Sequence, residues 1–189
     1  MNLMLDLETM GTAPNTVTLS LGAVAFNREG IIAKELFEFD IEEQFHLGRE
    51  ASGSTLKWWM KQDNEARKVF EDNDFKIKVS QFFTGFESLI DMSLGVVKES
   101  RGELKPWGNG ANFDTVIIED LYRRHHEKRE NAIPWKFWNV WCFRTFNNMT
   151  KCKDLVPRKQ TQGVKHNALD DAIYQTNCVL AFYNKGKKT

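Results

Sequence analysis

The sequence has 189 residues, a length that suits one domain or one domain with a small appendage. Hydrophobic residues make up 41% of the chain and aromatic residues 12%, which is enough for a substantial buried core. Lysine and arginine together number 26, as do aspartate and glutamate, so the formal net charge is zero. This balance argues against the broad basic surface of a structural DNA-binding protein.

The cysteines and the N-terminal segment bear on where the protein works. Cys142, Cys152 and Cys178 are widely spaced and form no CxxC pair, so we expect reduced thiols rather than zinc ligands. The N-terminal segment has no basic stretch, and Asp6 and Glu8 interrupt its apolar run, so a signal peptide is not expected. No apolar run approaches the ~18 residues of a membrane span. We therefore expect a cytoplasmic protein with no membrane partner.

The N-terminal part of the chain predicts three strands in an antiparallel meander. Residues 3–9 form an apolar run typical of a buried strand, and residues 16–26 and 31–41 are predicted as the next two strands. Residues 27–30 read Asn-Arg-Glu-Gly, which predicts a hairpin turn. The first strand is predicted to be central in its sheet, because it is apolar on both sides of its acidic pair.

Helices dominate the remainder of the sequence. Predicted helices cover residues 54–70, 75–90, 113–126, 140–149 and 167–183, and a short strand covers residues 104–108. Ser52 or Ser54 is the expected N-cap of the first of these helices, and Asn112 that of the third. No linker divides the chain, so we expect one domain over residues 1–184 and a basic tail at 185–189. This order of elements predicts an α/β fold with a mixed sheet flanked by helices.

Five polar residues have two explanations each when they are taken singly. Asp6 and Glu8 lie on one face of a predicted strand, and two carboxylates so close stay ionised only if cations lie between them, which would indicate a metal site. An edge strand with a solvated polar face explains the pair equally well. Asp114 lies near a helix start and, taken alone, is best explained by the helix dipole. His166 suits general-base chemistry because its reference pKa of ~6.5 lies near neutrality, although most histidines are not catalytic. Asp171 also suits a helix start.

Three motifs in chain order resemble those of the DEDDh, or DnaQ-like, family of 3′–5′ exonucleases in the ribonuclease H-like superfamily. They are Asp6-Leu7-Glu8-Thr9, Asn109-Gly110-Ala111-Asn112-Phe113-Asp114 and His166-Asn167-Ala168-Leu169-Asp170-Asp171. Within that family the chain is similar to the phage and bacterial exodeoxyribonuclease VIII-like or mycobacterial-type exoribonuclease subfamily. This closer likeness is carried by Ser54-Thr55-Leu56-Lys57-Trp58-Trp59 and Trp141-Cys142-Phe143-Arg144-Thr145.

The resemblance implies a ribonuclease H-like fold and a site with two Mg²⁺ or Mn²⁺ ions. It implies that Asp6 shares both ions, that Glu8 and Asp171 hold the ion nearer the attacking water, and that Asp114 serves the second ion. His166 would take the proton from the water. Two ions held by carboxylates are the known apparatus for in-line cleavage of phosphodiesters.

The implied activity is removal of nucleotides from the 3′ end of single-stranded DNA or RNA, with nucleoside 5′-monophosphates as products. The alternative enzyme is an exoribonuclease that trims RNA or short oligoribonucleotides. A remote alternative is a nucleic-acid-binding module without catalysis, although none of the five motif residues is missing from the sequence. No motif reports a contact to the 2′-hydroxyl that separates RNA from DNA.

A further set of residues is predicted to contact the substrate. Thr9 and Met10 are implied by the resemblance to line the pocket for the terminal nucleotide, and the full set is Leu7, Thr9, Met10, Asn109, Phe113, Trp58 and Lys165. Trp58 would stack on a base, but a core or interface position for both Trp58 and Trp59 is slightly favoured. Lys165, with Arg158 and Lys159, would contact phosphates or form a solvated loop. Trp135, Trp138 and Trp141 share a helical spacing and predict core packing or the contact of a possible homodimer.

Overall fold

Six strands form one mixed sheet in the computed structural model, which describes residues 1–71, 73–95, 103–110, 112–158 and 166–185. The strands are β1 (Asn2–Thr9), β2 (Thr18–Phe26), β3 (Ile31–Phe39), β4 (Lys76–Ile77), β5 (Lys105–Gly108) and β6 (Trp141–Cys142). Their order across the sheet is β4-β3-β2-β1-β5-β6. The pairs β1–β2 and β2–β3 are antiparallel, while β1–β5, β3–β4 and β5–β6 are parallel. The predicted α/β fold with a mixed sheet is therefore confirmed.

Seven α-helices are found in the described part of the chain, and they cover both faces of the sheet. They are α1 (Ile41–His46), α2 (Gly53–Trp59), α3 (Asn64–Arg67), α4 (Val79–Leu94), α5 (Asp114–His125), α6 (Phe143–Thr150) and α7 (Ala168–Asn184). Helices α4 and α5 pack on one face in the largest hydrophobic cluster. Helices α6 and α7 pack on the other face in a second cluster. The described helices include none that is both long and apolar enough to cross a membrane.

The side chains of β1 divide between these two faces, as the period of a strand requires. Leu3, Leu5 and Leu7 belong to the cluster with α4 and α5. Met4 belongs to the cluster with α6 and α7, so Asp6 shares its face. Because β1 pairs with strands on both sides, the interpretation of its acidic pair as the polar face of an edge strand is wrong.

The prediction of one helix over residues 54–70 is wrong, because the chain turns after Trp59. Asp63 begins a separate helix by accepting a hydrogen bond from the Ala66 amide, and a 3-10 turn over Lys68–Phe70 follows. Ser52 precedes α2, but its hydroxyl makes no capping hydrogen bond. Helix α1 was not expected, although Asp40 caps it through the Glu43 amide.

Three other predicted boundaries are also wrong. Residues 76–77 form β4, so the helix predicted from residue 75 begins at Val79. Phe113 rather than Asn112 precedes α5, and no side chain caps that helix. The predicted helix over residues 140–149 begins at Phe143, after β6. Trp135, Trp138 and Trp141 therefore do not share a helix; Trp135 is buried, whereas Trp138 is 66% exposed.

A glycine on β2 sets how closely α7 approaches the sheet. Gly22 pairs with Asp6 across β1 and β2. A Cβ atom at Gly22 would lie 2.2 Å from the carbonyl oxygen of Ala168, the first residue of α7. Only glycine permits this contact, because no side chain fits between the two backbones. The contact holds the start of α7 directly over the acidic part of β1.

Candidate active site

Two acidic side chains of β1 lie below the start of α7. Asp6 is half-buried, and its Oδ1 accepts a hydrogen bond of 2.6 Å from the Gln175 side chain on α7. Glu8 is 8% exposed, although it lies near the end of the strand. Both carboxylates are thus partly or largely withdrawn from water, where an ionised group needs a charged or hydrogen-bonded partner.

A third carboxylate is supplied by Asp114, the first residue of α5. Its Oδ1 accepts a hydrogen bond of 3.1 Å from the Leu7 amide, and its Oδ2 accepts one of 2.9 Å from the Asn109 amide. The side chain therefore joins the middle of β1 to the end of β5. Gly108 permits this arrangement, because a Cβ atom there would lie 2.7 Å from Oδ2 of Asp114.

The last two motif residues flank the N-terminus of α7. Asn167 caps the helix by accepting a hydrogen bond of 3.1 Å from the Asp170 amide. His166 has a left-handed backbone with φ of 65°, and its amide donates to Oδ2 of Asp171 at 3.3 Å. Oδ1 of Asp171 accepts a charged hydrogen bond from Arg158. Glu8, His166 and Asp171 each offer one potential metal ligand atom, and the three atoms lie within 4.8 Å of one another.

These five residues line one cavity of about 730 Å³. β1, α5 and the start of α7 all contribute to its wall. The lining residues are Asp6, Leu7, Glu8, Thr12, Asn109, Gly110, Asn112, Phe113, Asp114, Arg144, Lys153, Arg158, His166, Asp171, Tyr174 and Gln175. The structure therefore brings together the five residues that the three motifs supply, from segments spread between Asp6 and Asp171.

Burial and mutual repulsion weaken the acidity of this cluster. Burial, and then the charges of Asp171 and Asp114, raise the pKa of Glu8 to about 8. Burial and the neighbouring carboxylates also raise the pKa of Asp6 well above its ordinary value. Burial raises the pKa of Asp114 to about 7, against the lowering effect of its backbone hydrogen bonds and of Arg144. Hard divalent cations prefer carboxylate oxygens, so this donor set fits Mg²⁺ or Mn²⁺.

Comparison with known proteins identifies the family of this chain. Residues 1–183 match the model of the 3′–5′ exoribonuclease Rv2179c-like domain. The chain belongs to this family. An exodeoxyribonuclease of Enterobacteria phage T4 is 28% identical in an alignment of 192 positions that covers 88% of this chain and 82% of the phage protein.

Membership of the Rv2179c-like family confirms the 3′–5′ exonuclease family that the three motifs predicted. The similarity to the phage T4 exodeoxyribonuclease agrees with it. The protein is therefore a nuclease, as expected from the sequence. The Rv2179c-like match covers nearly the whole chain, so the cavity lies inside the matched region.

Two adjacent tryptophans of this Rv2179c-like domain stand beside His166, and they differ in burial. Trp59 is 3% exposed, and its Nε1 donates to the Thr9 carbonyl at 2.8 Å. Trp58 is 41% exposed, so a core position for it is wrong, while an interface position stays a prediction. Its ring lies edge-on to the His166 ring, with centroids 5.1 Å apart. Trp58 therefore contacts a site residue, while its contact with substrate stays a prediction.

The other predicted substrate-binding residues divide into three groups. Leu7, Asn109 and Phe113 line the cavity. Thr9 and Met10 are buried beside it: the Thr9 hydroxyl donates to the Gly11 carbonyl at 2.6 Å, and Met10 packs in a separate hydrophobic cluster. Lys165, like Lys159, lies outside the described residues, and so does most of the predicted basic tail.

Several residues of the site were not found from the sequence. Gln175, the partner of Asp6, lies four residues after Asp171 on α7, and this helical spacing could have indicated it. Arg144 and Lys153 also line the cavity. Arg144 lies in a segment that carried the closer family likeness, but nothing in the pattern pointed to a role.

Proposed function

We propose that the cavity is the active site of a divalent-metal-dependent exonuclease that removes nucleotides from the 3′ end of single-stranded DNA or RNA. The observation that supports this most is the convergence of Asp6, Glu8, Asp114 and Asp171 with His166 in one cavity. The raised pKa values of three of these carboxyl groups indicate that the fold alone does not stabilise their charges. Bound cations would supply that stabilisation.

The four carboxylates would hold two metal ions, and each has a distinct position. Asp6 lies centrally, because the charges of the other three all raise its pKa. Glu8 and Asp171 lie with His166, so they suit an ion on the side of the attacking water. Asp114 is fixed by two backbone amides and suits the second ion. Paired divalent ions supply an activated water and neutralise the charge that develops on the leaving oxygen.

His166 is proposed to take the proton from the attacking water. Its ring lies beside Glu8 and Asp171 and packs edge-on against Trp58, which limits its rotation. A histidine within hydrogen-bond reach of the water suits this step, because its ordinary pKa lies near neutral pH. Attack at the terminal phosphodiester would release a nucleoside 5′-monophosphate and leave a 3′-hydroxyl on the shortened strand.

A confined cavity favours a single strand, because a terminal nucleotide must leave a base pair before it can enter. Leu7, Asn109 and Phe113 are proposed to contact this nucleotide. The family description names an exoribonuclease and the phage relative an exodeoxyribonuclease. We therefore propose activity on both sugars, and matched DNA and RNA strands of one sequence measure the preference. Trimming of RNA alone remains the alternative enzyme.

The test is product analysis on strands labelled at either end, with Mg²⁺, Mn²⁺ or EDTA. Wild type should shorten 5′-labelled strands stepwise with either metal, and it should release labelled mononucleotide from 3′-labelled strands. EDTA, Asp6→Asn and His166→Ala should each abolish or strongly reduce this activity, while Glu35→Gln, on the exposed side of β3, should not. Internal fragments, or full activity of Asp6→Asn, would disprove the proposal. Binding of strands without cleavage would support the non-catalytic module.

A homodimer also stays a prediction. Phe137 is 80% exposed and Trp138 66% exposed, and both lie between Trp135 and Trp141, the stretch whose tryptophans predicted core packing or the contact of a homodimer. Light scattering of the protein after gel filtration measures its mass. A cytoplasmic location likewise stays a prediction.

A further inference from the structure

The charges that line the cavity come from separate parts of the chain. The carboxylates belong to β1, α5 and α7, whereas Arg144, Lys153 and Arg158 all come from the segment between β6 and α7. The chain as a whole carries equal numbers of acidic and basic residues, so its net charge does not explain this grouping. Arg158 pairs with Asp171, which leaves Arg144 and Lys153 to be explained.

Arg144 is exposed and is the second residue of α6. It forms no ion pair in the described part of the chain, although it is near enough to Asp114 to lower the pKa of that carboxyl. A positive charge in the first turn of a helix opposes the helix dipole. The stability of α6 therefore gives no reason for an arginine at this position.

Lys153 resembles Arg144 in its setting. It is exposed and lies in the first part of the 3-10 turn Cys152–Leu155. Its Nζ is 5.3 Å from the centre of the Phe143 ring, a cation–π contact that holds the ammonium group near the start of α6. Within the described ranges no carboxylate lies at ion-pair distance from it. Lys153 thus lies against the side chain of Phe143, the residue before Arg144, and both cations border the same cavity.

We propose that Arg144 and Lys153 bind backbone phosphates of the nucleic-acid strand next to the terminal nucleotide. This inference rests on the proposed function of the cavity and adds the path of the strand. A polyanion that approaches four carboxylates is repelled, and two cations without an ion-pair partner among the described residues offset that repulsion at the same cavity. An arginine fork binds a phosphate through two hydrogen bonds, while a lysine acts as a point charge. The preferred substrate is therefore an oligonucleotide, not an ester of a single nucleotide.

The experiment compares Arg144→Ala, Lys153→Ala and the double variant with wild type. Binding is measured with Mg²⁺ by fluorescence anisotropy of a single-stranded dodecamer that has a phosphorothioate 3′ end, over a series of salt concentrations. Hydrolysis is measured on an unmodified dodecamer and on the p-nitrophenyl ester of thymidine 5′-monophosphate, which has no second phosphate. Lys34→Ala removes an exposed cation of β3 outside the cavity and is the control. Arg144→Lys keeps the charge.

The double variant should bind the dodecamer at least about tenfold more weakly, since each charged hydrogen bond contributes to the free energy of binding. The slope of log affinity against log salt should fall in size by about 0.7 for each lost contact. Arg144→Lys and Lys34→Ala should keep the wild-type slope. The KM for the dodecamer should rise much more than the KM for the ester.

Three outcomes separate the hypotheses. An unchanged affinity and salt slope in a folded double variant overturns the strand path. An equal rise in KM for the ester and the dodecamer also overturns it. If wild type cleaves neither substrate but binds the dodecamer with a slope that falls in the variants, the strand path stands and the proposed activity fails.

Discussion

Replacement of Glu8 by glutamine should make the metal-free protein more stable at neutral pH while it abolishes nuclease activity. The pKa of Glu8 is raised from an ordinary 4.5 to about 8. Between these two values the folded chain holds more protons at this site than the unfolded chain, so stability falls as pH rises through this window. Asp6 and Asp114 contribute with the same sign. Glutamine keeps the shape of the side chain without its charge.

The size of the effect follows from the shift at Glu8. Each pH unit within the window costs about 1.4 kcal/mol for one such group. From about pH 5 to about pH 7.5, Glu8 would therefore lower the free energy of unfolding by roughly 3 kcal/mol. For a chain of this length, roughly 3 kcal/mol corresponds to a fall in Tm of about 6–12 °C. Glu8→Gln should remove much of this fall and also relieve the repulsion on Asp6.

The assay is thermal unfolding in EDTA between about pH 5 and about pH 8 for wild type, Glu8→Gln and the exposed control Glu35→Gln. The Tm of wild type and of the control should fall as pH rises, and the Tm of Glu8→Gln should fall much less. Addition of Mg²⁺ should raise the Tm of wild type most at high pH, because protons and metal ions compete for the same oxygens. Equal pH slopes for wild type and Glu8→Gln would refute the reasoning.

Three other substitutions test single contacts of the site. Gly22→Ala should lower the free energy of unfolding by ~1–3 kcal/mol and reduce activity, because the new Cβ atom would lie 2.2 Å from the backbone of α7. Denaturant titration measures this change. The control Gly53→Ala should leave the free energy of unfolding unchanged, since its Cβ atom would enter open space. Trp58→Ala should lower kcat more than it raises KM, because the indole contacts His166. Trp58→Phe should restore kcat. A change in KM alone would indicate that Trp58 stacks on a base instead. Gln175→Leu should weaken the Mg²⁺-induced rise in Tm, because its bond to Asp6 is lost. Without metal it should change the free energy of unfolding by no more than ~1 kcal/mol, since the buried Oε1 of Gln175 has no hydrogen-bond partner among the described residues.

The residues of the site were predictable where local periodicity and motif order decide the structure. Asp6 and Glu8 share one face because a strand alternates its side chains, and Asp171 falls in the first turn of α7. Asp63 could also have indicated a helix start, because aspartate is a common N-cap, but the run of helix-forming residues around it predicted one long helix.

Contacts between distant segments could not be predicted from the same patterns. Gly22 lies opposite Asp6 because of the register between β1 and β2, and α7 packs directly over Gly22. No local motif predicts this strand register or this helix packing. The different burial of Trp58 and Trp59 depends on the position of His166, more than 100 residues later in the chain. Propensity also misplaced the cap of α5, where Asn112 gives way to Phe113 because Asp114 reaches back to the amides of other segments.

The bond between Gln175 and Asp6 joins residues 169 positions apart. During synthesis β1 emerges before α7, so the cluster of carboxylates is incomplete until α7 has left the ribosome. Closure of so long a loop is entropically costly and must be driven by the docking of α7 on β2. A nascent chain that ends before α7 would lack Asp171 and Gln175, so we expect no nuclease activity before α7 has been made.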